Sequence, residues 1–154
     1  MATPHPSDSA EQRTAERFAL EAIGKKLGVE LLPRTLQLPD GSCVEIDGGA
    51  EGPPRTLAEV YAHQGRLKPA QSDKLLADAF KLVAARNLVF PCDHTRVLLV
   101  LTDEDAARGL RGGWRKAALA AMEVEVHVVA LPADIAASVR AAQRRQEMRN
   151  AGPE

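Results

Sequence analysis

Arg96 to Leu101 reads Arg-Val-Leu-Leu-Val-Leu, and Val124 to Leu131 reads Val-Glu-Val-His-Val-Val-Ala-Leu. A strand this apolar has no side for water, so each run is read as a strand covered on both faces. A helical pattern from Asp103 to Met122 separates them, and strand, helix, strand implies a right-handed parallel crossover. Parallel strands with both faces covered need helices above and below, which restricts the chain to the α/β class.

The rest of the chain fills in that frame. From Glu11 to Leu27 the apolar positions Ala15, Phe18, Ala19, Ala22, Ile23 and Leu27 recur at helical spacing, with Gly28 as the stop. Three β-rich runs follow, Glu30 to Leu38, Ser42 to Asp47 and Arg55 to His63. Pro39-Asp40-Gly41 and the stretch from Gly48 to Pro54 separate them, and turns so rich in Gly and Pro predict an antiparallel meander. Pro69 opens a second helix to about Arg86, with Leu75, Leu76, Ala79, Phe80, Leu82 and Val83 as its buried side. Thr102 and Asp105 resemble a capping box for the next helix, which Gly109, Gly112 and Gly113 are expected to split around Trp114, read as a core or interface residue. Pro132 starts a last helix, Ala133 to Met148. Residues 1–10 are expected to be a disordered lead, 151–154 a frayed end, and 11–150 a single domain.

Composition excludes several function classes. At 154 residues the chain can bury roughly 70% of the surface its unfolded form exposes. Cys43 and Cys92 have no CxxC or CxxH spacing, and Cys92-Asp93-His94 has no second ligand pair, so neither a disulfide framework nor a structural zinc is indicated. No apolar run approaches the ~18 residues of a membrane helix, and the opening lacks the order of a secretory signal, so a cytoplasmic protein without membrane contact is expected. A net charge of −1 is not that of a nucleic-acid coat protein, so any nucleic-acid contact must be local.

Chemistry concentrates in the meander. In Val44-Glu45-Ile46-Asp47 the acids share one face of a strand, and in the third run Glu59 shares a face with Leu57, Tyr61 and His63. If these strands pair as a hairpin, Asp47 approaches Glu59, and two convergent carboxylates suit a hard divalent cation. Gln71, Lys74, Asp78 and Lys81 form a stripe on the second helix that either lines the cleft beside the acids or is a solvent face of i,i+4 pairs. Asp78 and Lys81 are assigned to solvent.

The order helix with Glu16 or Glu21, meander with an Asp closing its second strand and a Glu in its third, helix, strand resembles the PD-(D/E)XK, or restriction-endonuclease-like, superfamily across Glu11 to Leu101. The resemblance implies an αβββαβ core with a mixed central sheet, followed here by an α-β-α extension. It also implies a nuclease that cleaves phosphodiester bonds with Mg²⁺ or Mn²⁺ held by Asp47 and Glu59, with Glu21 as a further ligand. Nucleic acid, DNA foremost, would be the partner, and many such proteins are homodimers. The family's lysine two positions after the Glu is Tyr61 here. Lys74, with Gln71 beside it, is the stand-in, as in relatives that carry the basic residue on the following helix.

Other readings stay open. Without the lysine the domain could be a non-catalytic binding or assembly module acting through Trp114 and the clusters Arg108, Arg111, Arg115, Lys116 and Arg140, Arg144, Arg145, Arg149. His63 is a candidate for proton transfer or a plain turn residue. A nucleotide-binding crossover lacks both GxxxxGK[ST] and GxGxxG.

Overall fold

The computed structural model describes residues 9–152. The expected disorder of residues 1–8 and fraying of 153–154 lie outside them, whereas Ser9 and Ala10 already belong to a helix start. Helix α1 spans Ala10–Leu27. Ser9 caps it reciprocally, its Oγ accepting from Gln12 N at 3.1 Å while Gln12 Oε1 accepts from Ser9 N at 3.4 Å. Gly28 ends it at φ 72°, a left-handed value that glycine adopts without penalty.

Strands β1 (Leu32–Gln37), β2 (Cys43–Ala50) and β3 (Arg55–Tyr61) form the predicted antiparallel meander. Helix α2 (Pro69–Val89) carries the chain to β4 (Thr95–Leu101), parallel to β3. A broken segment follows: α3 (Glu104–Ala107), a 3-10 turn (Arg108–Leu110) and α4 (Gly113–Ala121). It leads to β5 (Val124–Val128), parallel to β4, and α5 (Ala133–Asn150) closes the chain. The result is one mixed five-stranded sheet in the order β1-β2-β3-β4-β5.

Helices cover both faces. Leu75, Ala79, Leu82 and Val83 of α2 and Leu119 of α4 pack with Leu57, Val97, Leu99 and Leu101 on one face. Ala19 and Ile23 of α1 pack with Ala58, Val60, Leu98 and Val100 on the other, while Ala15 meets Val139 of α5. Val97 to Leu101 is fully buried, as its unbroken apolar run predicts.

Four expectations are corrected. Gly48 and Gly49 belong to β2 rather than to a turn, because the missing side chains allow close approach: a Cβ at Gly48 would lie 2.9 Å from Leu20 Cδ2 on α1. Asp103, not Thr102, caps α3, accepting from Asp105 N at 3.2 Å, since Thr102 Oγ1 accepts from Gln64 Nε2 at 2.9 Å. Phe80, read as buried, is 73% exposed, because among the described residues no layer lies over the flank of α2 that carries it; Trp114 is 64% exposed, which removes the core half of its core-or-interface reading. The run from Val124 is an edge strand ending at Val128 and only half-buried, with Glu125 bound to Arg96 at 2.6 Å.

Candidate functional site

Strands β2 and β3 pair only through Gly48–Ala58, Gly49–Leu57 and Ala50–Thr56. Beyond that point they separate, and β3 runs on as Glu59, Val60 and Tyr61 against β4 alone. A backbone N–H exposed by such a gap must find an acceptor. Val60 N finds it in a side chain, donating to Asp47 Oδ2 at 3.0 Å. The Asp47 carboxylate is thereby pinned in the gap beside Glu59, which the strand alternation turns toward α2.

Glu59 is 7% exposed. Burial, followed by contact with the Asp47 carboxylate and its charge, pushes its carboxyl up to about 9, against the pull of Lys81. Lys81 Nζ stands 2.5 Å from Glu59 Oε1. That oxygen nonetheless has no aligned hydrogen-bond donor. The site is thus two carboxyl groups and one ammonium, with Glu59 shielded from water and Asp47 and Lys81 part-exposed.

A second tier borders this centre. Asp78, half-buried on α2, is raised above the usual carboxylate range by burial and by Asp47, opposed by Lys74 and Lys81. Lys74 Nζ lies 3.9 Å from Asp78 and 5.3 Å from the centre of the Tyr61 ring. Burial raises the Tyr61 hydroxyl, while the adjacent Gln71 side chain lowers it. His63 stacks on Tyr61 at 5.7 Å, its imidazole pushed down by burial.

The sequence-predicted residues therefore divide. Asp47 and Glu59 come together. Gln71 and Lys74 face Tyr61, and the lysine that reaches Glu59 is Lys81, assigned to solvent by the sequence reading. Glu21 lines an open groove of about 970 Å³ between α1 and the β1–β2 hairpin, whose wall includes Asp47 and Val60. Among the described residues, no three His, Cys, Asp or Glu side chains are gathered into a group that could hold a metal ion, so Glu21 does not complete the pair. Asp47 and Glu59 carry carboxyl groups of the kind Mg²⁺ takes as ligands, but the Lys81 ammonium stands against the Glu59 oxygen they would offer.

Among the described residues, no helix is long and apolar enough to cross a membrane. Comparison of the chain with protein-family models, with characterised proteins and with solved structures finds no match.

Proposed function

We propose that the protein is a Mg²⁺- or Mn²⁺-dependent nuclease of restriction-endonuclease-like architecture, with Asp47 and Glu59 as metal ligands and Lys81 as the displaced motif lysine. The observation that carries this reading is the convergence of Asp47, Glu59 and Lys81 at the point where β2 and β3 part. The element order and the 1-2-3-4-5 sheet, antiparallel through the meander and parallel thereafter, agree with it.

Bound Mg²⁺ supplies positive charge at the scissile phosphate and lowers the pKa of a water. Asp47 and Glu59 would hold the cation, and Val60 N–H fixes the Asp47 carboxylate for that task. Lys81, beside Glu59, would place an ammonium where negative charge develops on the phosphoryl oxygens. DNA is the proposed substrate, approached through the groove beside α1, and a homodimer the proposed assembly.

One observation favours a second reading, a non-catalytic binding or assembly module. Lys81 already gives Glu59 the positive neighbour that a metal would provide. Incubation of wild type and Asp47→Asn with supercoiled plasmid and with single-stranded DNA, in Mg²⁺ or Mn²⁺, separates the two. Nicking by wild type and not by the variant is the expected result; no cleavage of either substrate leaves the module.

A further inference from the structure

A pocket of about 730 Å³ lies on the opposite flank of α2 from Lys74 and Lys81, between the start of that helix and the broken α3–α4 segment. Arg66, Arg108 and Arg115 line it, with Ser72 in its wall and Asp105 as its one acid. Each arginine is differently committed. Arg66 has no ion-pair partner among the described residues. Arg108 is 80% exposed and only loosely paired, 3.5 Å from Asp105. Arg115 donates to Asp73 at 3.0 Å, while its Nε–H, shielded from water, has no acceptor.

Ser72, 4% exposed, forms part of the pocket wall. The independent observation is the Arg115 Nε–H, a buried donor left without an acceptor at the same wall. The helix start adds the partial positive charge of α2, whose Pro69 lacks an N–H to spend. Set against Asp105 and Asp73, the three guanidinium groups leave a positive excess, and the unpaired Arg115 Nε–H is a donor. The matching ligand is an acceptor-rich anion with several oxygens.

We propose that this pocket binds a phosphate group through Arg66, Arg108, Arg115 and Ser72. Planar guanidinium forks match phosphate oxygens in pairs, and Arg115 satisfies its idle Nε–H by exchanging Asp73 for the ligand. The source is a nucleic-acid backbone or free phosphate. Ser72 and Lys81 lie nine positions apart on α2, about 13 Å along its axis. In the nuclease reading, the pocket would grip nucleic acid across α2 from the cleavage centre, but its binding chemistry does not depend on that reading.

Trp114, the single tryptophan, adjoins Arg115, whose guanidinium carbon lies 5.1 Å from its ring centre, and so reports on the pocket. Inorganic phosphate titrated into the full chain at constant ionic strength should change Trp114 emission saturably. Arg66→Ala/Arg108→Ala, both surface positions, should weaken that binding at least tenfold while leaving Mn²⁺ binding intact. Ser72→Ala should weaken it severalfold. A single-stranded oligonucleotide weakened by the same double variant identifies a backbone phosphate as the ligand; unchanged oligonucleotide binding identifies free phosphate. No saturation in wild type, or equal affinity in the double variant, overturns the proposal. Loss of Mn²⁺ binding by Asp47→Asn with phosphate binding retained separates this pocket from the metal centre.

Discussion

A carboxyl group shielded from water beside a second carboxylate can keep its proton or acquire a cation. Glu59 is in that position, and the sign of its effect on stability follows. Its folded value near 9 exceeds the ordinary 4.5, so between those values the folded chain holds a proton the unfolded chain has lost. This contribution is complete below about pH 4.5 and is lost as pH rises toward 9, at no more than about 1.4 kcal/mol per pH unit. Glu59→Gln removes it: relative to wild type, the variant should gain stability between pH 5.5 and 8.5 in urea unfolding. Parallel pH profiles would show that Glu59 ionises freely. Lys81 carries a second prediction at this scale. Removing one preorganised charge-stabilising group costs ~10²–10³ in rate, so Lys81→Ala should cut DNA nicking at least a hundredfold and Lys74→Ala only severalfold. The reverse order would return the role to Lys74.

At the scale of elements, α1 rests on β2 through a missing side chain. A Cβ at Gly48 would meet Leu20 Cδ2 at 2.9 Å and Leu31 Cβ at 3.1 Å, both within the packed face beneath α1. Gly48→Val should destabilise the fold by ~1–3 kcal/mol, read as a lower thermal midpoint; an unchanged midpoint would mean α1 is free to lift. The same glycine shows where the sequence misleads. Gly-Gly before Gly-Pro-Pro carries every local mark of a turn, and only the tertiary approach of α1 makes it strand. The end of α1 was legible because Gly28 acts locally, and β4 because its run is apolar throughout, whereas Ser9 of the Ser9–Gln12 cap was read as part of a disordered lead. Phe80 was misassigned since helical spacing marks a stripe without saying how wide a layer will cover it. Lys74 and Lys81 both belong to the stripe; the angle at which α2 crosses β3 chooses between them, and no local residue encodes that angle.

For the molecule as a whole, the meander and the first crossover meet at one discontinuity, the parting of β2 from β3. Asp47 occupies it as a substitute for ladder hydrogen bonds, which ties the architecture to the carboxylate pair: the side chain that completes the sheet also completes the site. The α/β class and the pairing of Asp47 with Glu59 were readable from strand parity and turn signals, whereas the parting of the strands is a property of the assembled sheet. Calorimetric titration of Mn²⁺ into wild type and into the Asp47→Asn/Glu59→Gln double variant at pH 8 tests the central claim most directly. The proposed centre predicts one site in wild type, absent from the variant, with affinity rising toward pH 9 as the cation displaces the Glu59 proton. No binding in wild type, or equal binding in the variant, would contradict it and leave Lys81 as the cation this pair was built around.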